Sequence, residues 1–195
     1  MSQVYHVKLK ESVSETFSVS DHVKHKLCLT PILPEGEMLE LLKQQLLDAG
    51  YTEEAGALTL ENERGEHVSV DLEALEATVT LSRSREVKEE LTATASYEND
   101  RGPGREAAEQ RAADELAKKL SDHKVKGERV TQALTQDVIN ALSEHREAQQ
   151  AELNQVLQRV YTESLKRKAS QLGDVLEVTE STVDGQYELV IKIER

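Results

Sequence analysis

The first thirty positions alternate polar and apolar residues in the rhythm of a half-buried strand. Tyr5, Val7 and Leu9 alternate with His6, Lys8 and Lys10; Phe17 and Val19 repeat the pattern; Val23, Leu27 and Leu29 share a face with His25. This spacing predicts two or three strands. Pro31-Ile32-Leu33-Pro34-Glu35-Gly36-Glu37 comes next, where two prolines deny a sheet its donors and the acidic residues suit a helix N-terminus. Met38, Leu41, Leu42, Leu46 and Ala49 then fall at i, i+3, i+4, i+8 and i+11, and Gly50 stands where a C-terminal cap belongs, so an amphipathic core helix is predicted.

From Ala57 to Tyr97 the period returns to two. Leu58 and Leu60 form one apolar row, Val68, Val70 and Leu72 a second, Ala77, Val79 and Leu81 a third, and Val87, Leu91, Ala93, Ala95 and Tyr97 a fourth. Arg64-Gly65 supplies turn chemistry between the first two. A meander of four antiparallel strands accounts for the rows. Glu89 interrupts the last of them, which marks that strand as an edge or as running past the core.

Asn99-Asp100-Arg101-Gly102-Pro103-Gly104 ends the strand pattern, and a helical stripe of Ala108, Ala112, Ala113, Leu116, Ala117 and Leu120 follows. Ser121 to Gly127 is polar enough to read as a turn. Beyond it Val130, Leu134, Val138, Leu142, Leu153, Val156, Leu157, Val160, Tyr161, Leu165 and Leu172 keep helical spacing up to Gly173. A helix over 128–172 would be ~67 Å long, against ~24 Å for one over 105–120, so the shorter cannot cover the longer. Either the long helix bends near Ser143 to Gln150, or its uncovered stripe packs on the sheet at one end and on a second subunit at the other; Val130, Leu134, Val138 and Leu142 are then either intramolecular core or an interaction surface for a partner or a second copy.

At the C-terminus Leu176 and Val178 alternate, Asp184-Gly185 supplies a two-residue turn, and Tyr187, Leu189, Ile191 and Ile193 form one apolar face. The expected fold class is α+β: an antiparallel sheet with one short core helix, an inserted helical hairpin with a long second helix, and a C-terminal β-hairpin. The domain organisation that follows is a sheet and core helix over 1–100, a helical insertion over 101–150, and the long-helix end with a hairpin completing the sheet over 151–195.

Composition narrows the function classes. The chain has 195 residues and a formal net charge of −13, with one Phe, five Tyr and no Trp. Residues 101–172 hold 13 basic and 11 acidic side chains, so the excess of acid lies outside them. Such a charge repels phosphate backbones and anionic membranes, and few aromatic rings are left for stacking on bases, so neither nucleic acid nor a membrane is an expected partner. No apolar run approaches the ~18 residues of a membrane span. The first residues lack the basic and apolar segments of a signal peptide, which places the expected location in the cytoplasm.

Candidate chemistry is sparse. His22 and His25 stand three apart in a strand and so face opposite sides, and no CxxC or HxxxH set gives metal spacing; they are expected on the surface, and no metal or cofactor is expected. His67, His123 and His145 are isolated and receive no role. Cys28, the one cysteine, lies between Leu27 and Leu29 with polar Lys26 and Thr30 on its own face and reads as a small strand residue rather than a nucleophile. Arg101-Gly102-Pro103-Gly104 precedes Arg105-Glu106 rather than the Lys-Ser/Thr of a phosphate loop. Glu35, Glu37 and Glu40 do not stand out as a catalytic carboxylate pair in a chain this acidic. No catalytic residue is assigned.

Two stretches carry family resemblances. Leu153-Asn154-Gln155-Val156-Leu157-Gln158-Arg159-Val160-Tyr161, followed by Gly173, an alternating strand and Asp184-Gly185, resembles the C-terminal half of a small cyanobacterial and plastid conserved reading-frame family of unknown function. The N-terminal strand, the helix ending in Ala49-Gly50-Tyr51 and the strand around Val68 to Leu72 are similar to its first half. Leu33-Pro34-Glu35-Gly36-Glu37-Met38 within this layout resembles accessory domains of the FtsH ternary systems, bacterial gene sets built around AAA+ ATPases. The second resemblance implies a non-enzymatic accessory or adaptor protein with a protein partner, an AAA+ ATPase among the candidates. Two other readings stand beside it: an enzyme whose site is assembled from residues far apart in sequence, and a structural homo-oligomer, such as a homodimer, joined through its helices.

Overall fold

The computed structural model describes residues 4–98, 104–183 and 186–194. Its elements are β1 (Val4–Lys26), α1 (Glu35–Asp48), β2 (Thr52–Glu54), β3 (Ala57–Glu61), β4 (Glu66–Asp71), β5 (Glu76–Glu98), α2 (Arg105–Glu144), α3 (Arg146–Leu172), β6 (Asp174–Val183) and β7 (Gln186–Glu194). The fold is α+β, with an antiparallel five-stranded sheet ordered β1-β5-β4-β3-β2 and a separate two-stranded sheet β6-β7. The C-terminal hairpin is therefore present, but it forms its own sheet instead of completing the first. The turn expected at Asp184-Gly185 and most of the loop at Asn99 to Gly104 lie outside the described residues.

Two compact units divide the chain: residues 1–21 with 82–140, and residues 22–81 with 141–195. The first is a two-stranded ribbon with a helix along it. The ribbon's outward positions are polar across both strands, as in the pairs Lys10–Glu90, Ser14–Glu86 and Ser20–Ser82. Its other face carries Val7, Leu9, Val13, Phe17 and Val19 from β1 and Leu91 and Ala93 from β5, and α2 covers that face. Arg111 donates to the Ser96 carbonyl, Lys119 to that of Thr92, and Arg83 lies 3.9 Å from Asp137. The helix thus advances about two residues for each strand residue, the ratio of a 1.5 Å rise to a 3.3 Å rise.

The turn expected at Ser121 to Gly127 is instead an uninterrupted part of α2. The sheltered positions of the helix recur every eleven residues: Ala108, Lys119 and Val130; Ala112, His123 and Leu134; Leu116, Gly127 and Val138. An eleven-residue repeat gives about 3.67 residues per turn and keeps one stripe of a long helix facing one surface. The segment reads as polar because its two sheltered positions are a histidine and a glycine, for reasons that lie in the ribbon. His123 meets Glu89, the charge that interrupts the apolar row of β5, at 2.9 Å. Gly127 faces the Phe17 ring.

The second unit holds the larger core. Met38, Leu41, Leu42 and Leu46 of α1 are buried, as their spacing predicts, together with Leu58, Val68, Val70, Ala77, Val79 and Leu81 of the sheet. Gly50 ends α1 at φ 95°, which lets Tyr51 N–H bond back to the Leu46 carbonyl. Ala55 and Gly56, at φ 49° and 88°, form the two-residue turn between β2 and β3, a pairing that the apolar pattern does not reveal because β2 is only three residues long and exposed. The expected third and fourth strands of the meander are one strand, β5, just as the two or three N-terminal strands are one strand, β1. Helix α3 packs on α1 and on the β6-β7 hairpin.

Candidate functional site

In the second unit the turn between β3 and β4 is built by one side chain. Asn62 Oδ1 accepts the backbone N–H groups of Arg64 and Glu66, each at 3.0 Å, and Gly65 completes the turn at φ 71°. This geometry starts β4 with Glu66 in the same inward row as Val68 and Val70, and it is completely buried. Four donors converge on its carboxylate: Asn62 Nδ2 at 2.7 Å, Arg64 Nε at 3.1 Å, His145 Nδ1 at 2.8 Å and Gln149 Nε2 at 2.9 Å. Burial pushes the Glu66 pKa up, but the bonds from Asn62, His145, Arg64 and Gln149 outweigh it and bring it down to about 2. The carboxylate is charged, and His145 must carry its proton on Nδ1.

The network continues on both sides. Gln149 turns its Oε1 to His25 Nε2 at 3.2 Å, and Gln150 Oε1 stands 3.2 Å from His25 Nδ1. His25, expected on the surface, is buried, because β1 turns it toward α3 where these two amides await it. Arg64 forks onto Glu152 with bonds of 3.0 and 3.1 Å, and the Glu152 hydrogen bond is the main reason that its pKa is raised. Next to this pair, burial and then the charge of Glu152 push the Tyr51 phenol up to about 12. Helix α2 gives way to α3 at His145, whose φ of −84° and ψ of −5° stay in the right-handed region, within the window Ser143 to Gln150 where strong apolar residues are missing. Glu66 thus bonds to His145 at the junction of α2 and α3 and to Gln149 in the first turn of α3.

A Glu–His pair can orient an imidazole for proton transfer, but among the described residues no hydrogen bond joins His145 to a Ser, Thr or Cys. Nor do three His, Cys, Asp or Glu side chains among them converge in a metal-binding arrangement. Every atom of the Glu66 carboxylate is already engaged by the protein. Its bonds link the β3-β4 turn to the first residues of α3. Its signal in the sequence was the parity of Glu66 with Val68 and Val70.

A second feature lies along α3. Tyr161 donates to the Cys28 carbonyl at 2.6 Å and accepts from Thr30 N–H at 3.0 Å, holding the chain after β1 beside the helix. Cys28 itself is exposed, beyond the end of β1. Tyr187 donates to Glu180 at 3.0 Å, its oxygen lies 3.0 Å from Thr162 Oγ1, and Lys166 pairs with Glu180 at 2.8 Å, so the hairpin is tied to α3 through the last part of β6 and the start of β7. Between these ties runs a groove of about 550 Å³ lined by Leu157, Tyr161, Leu165, Tyr187 and Leu189, with Cys28 at its edge. Beyond the groove the hairpin is poorly covered. Leu165, Leu172, Val175, Leu176, Val178 and Val190 are all exposed, Leu176 by 64 %. Leu176 stands at an irregularity in the strand register, between Val175 and Glu177.

The four positions of the helical stripe that could meet either core or a partner differ in exposure. Val138 and Leu142 are buried, at 0 % and 2 % exposure, and Val130 and Leu134 are half-buried. The seam is sheltered within the chain until its last turns, where Leu165 and Leu172 emerge. Accessible aliphatic residues are scattered singly on β1, α1 and α2, as at Val4, Leu47, Val125 and Ile139, and gather on the C-terminal hairpin and the end of α3, which sequence spacing alone reads as ordinary core.

A family model described as FtsH ternary system domain X5 matches residues 1–194. This agrees with the resemblance seen at Leu33 to Met38. Neither the curated proteins nor the solved structures gave a match. No helix among the described residues is long and apolar enough to cross a membrane.

Proposed function

Because this chain belongs to the FtsH ternary system domain X5 family, we propose that it is a non-enzymatic accessory subunit, an adaptor that joins a protein partner to the AAA+ component of such a system in the cytoplasm. The observation that carries this reading is the C-terminal hairpin. Its two strands pair only with each other among the described residues, so each presents an outer edge, and its aliphatic side chains Leu176, Val178 and Val190 are exposed. An open strand edge beside exposed aliphatic residues is suited to docking an extended segment of another chain. The net charge of −13 favours a partner with a basic surface.

The test is co-purification of the full chain with the AAA+ component encoded in the same system, comparing the wild type with Leu176→Asp and Val190→Lys. Both residues are exposed, so the variants should keep the wild-type thermal midpoint and lose at least about tenfold in affinity, ~1.4 kcal/mol. Unchanged affinity in both variants would remove the hairpin from the interface. Light scattering over a dilution series reports whether the second copy is the partner instead.

A further inference from the structure

We propose that His123 is a proton-operated clamp that holds α2 against the β1-β5 ribbon of the first unit. The ring is 2 % exposed. The charged groups that face it are Glu89 from β5 and Glu15 from β1, and on its own helix Lys126, whose ammonium is committed to Glu89 at 2.8 Å. Glu89 Oε2 stands 2.9 Å from Nδ1. Lys126 and then His123 hold that carboxylate below the usual range, so it accepts and Nδ1 carries a hydrogen. Nε2, on the other side of the ring, is buried with no hydrogen-bond partner, and the nearest charged atom is Glu15 Oε2 at 3.9 Å.

The two protonation states differ in what they satisfy. A neutral ring places the bare lone pair of Nε2 toward a carboxylate, two acceptors with no hydrogen between them. A protonated ring has N–H groups on both sides, one for each strand. Glu15 is 49 % exposed and has room to swing the remaining distance. One imidazolium then ties the helix to β1 and β5 together, where the neutral ring ties it to β5 alone. Loss of the proton loosens the helix over Phe17 and Leu91, the apolar face it covers. The stabilisation is present while the ring is charged and fades as rising pH removes the proton.

The test is a double-mutant cycle on the full chain, read as thermal midpoints at about pH 5.5 and about pH 8, on either side of the ~6.5 of an ordinary imidazole. The variants are Glu15→Gln, His123→Asn and the pair. Comparing positions 15 and 123 alone cancels the titration of His25 and His145. Glu15→Gln should lower the midpoint by about 3–6 °C at the lower pH, leave it unchanged or raise it at the higher, where a carboxylate no longer faces the bare lone pair, and have no effect at either in the His123→Asn background. An equal effect at both pH values, or one that survives in that background, overturns the clamp. Should His123→Asn fail to fold, nitrogen-15 spectra of the wild-type imidazole decide: both ring nitrogens protonated at the lower pH, with the Nε2 signal shifted by Glu15→Gln, supports it. A neutral ring at that pH ends it.

Discussion

The ring of Phe17 occupies the space that any side chain at Gly127 would need: an added Cβ would stand 2.5 Å from its Cζ and 2.8 Å from its Cε1. The glycine is a contact residue of the helix, placed where the one phenylalanine of β1 meets it. Glycine within a helix costs about 1 kcal/mol relative to alanine, so here close approach outweighs propensity.

That balance predicts a change of sign. Gly127→Ala should destabilise the wild-type protein by about 1–2 kcal/mol, because overpacking outweighs the gain in helix propensity. In a Phe17→Ala background the same change should stabilise by up to about 1 kcal/mol. Urea unfolding followed by circular dichroism measures both; a stabilising effect in the wild type would mean that the ring yields freely.

Neighbouring residues of α2 should respond oppositely to charge. Val138→Asp buries a carboxylate in the core and should cost more than about 4 kcal/mol, whereas Ile139→Asp, at a position 44 % exposed, should stay within about 0.5 kcal/mol. Thermal unfolding of the two variants checks the face assignment directly.

Glu66→Gln replaces an acceptor of four hydrogen bonds by a group that must turn an NH₂ toward donors. It should cost about 3–5 kcal/mol, the usual penalty for breaking a buried ionic network. Gln149→Ala removes one donor and should cost less, about 1–3 kcal/mol. Equilibrium denaturation that finds the two equal would show that the carboxylate draws little from its remaining partners.

Acid should act through the same group. The Glu66 pKa falls from 4.5 to about 2 on folding, so its contribution is complete above about pH 4.5 and is lost as pH drops toward 2. The linkage is worth about 3 kcal/mol. Denaturant midpoints between about pH 6 and about pH 2 should fall steeply for the wild type and less steeply for Glu66→Gln.

The sequence showed the elements whose environment is uniform and concealed those whose environment is shared. The core helix and the alternating strands of the first sheet each bury one kind of face, and the terminal hairpin keeps the same alternation, so period alone identifies them. Strand length was hidden because polar runs such as Lys10 to Ser12 and Ser14 to Thr16 break the apolar rhythm without breaking the ladder. The continuous helix through Ser121 to Gly127 was hidden because its inward residues answer a carboxylate and an aromatic ring on another element. Glu66 and His145, 79 positions apart, show nothing of their partnership until the Asn62 turn and the helix junction bring them together.

The eleven-residue beat of the first unit has an evolutionary corollary. Three turns of helix occupy ~16.5 Å, the length of about five residues in each strand of the ribbon. Insertions or deletions in this arm should therefore be inherited as a set, about eleven residues in the helix with about five in each strand, since a lone residue gained or lost would rotate everything downstream by ~100° and turn the buried stripe into water. Sequences of other family members that vary here in unmatched steps would show that the helix and the ribbon do not keep common time.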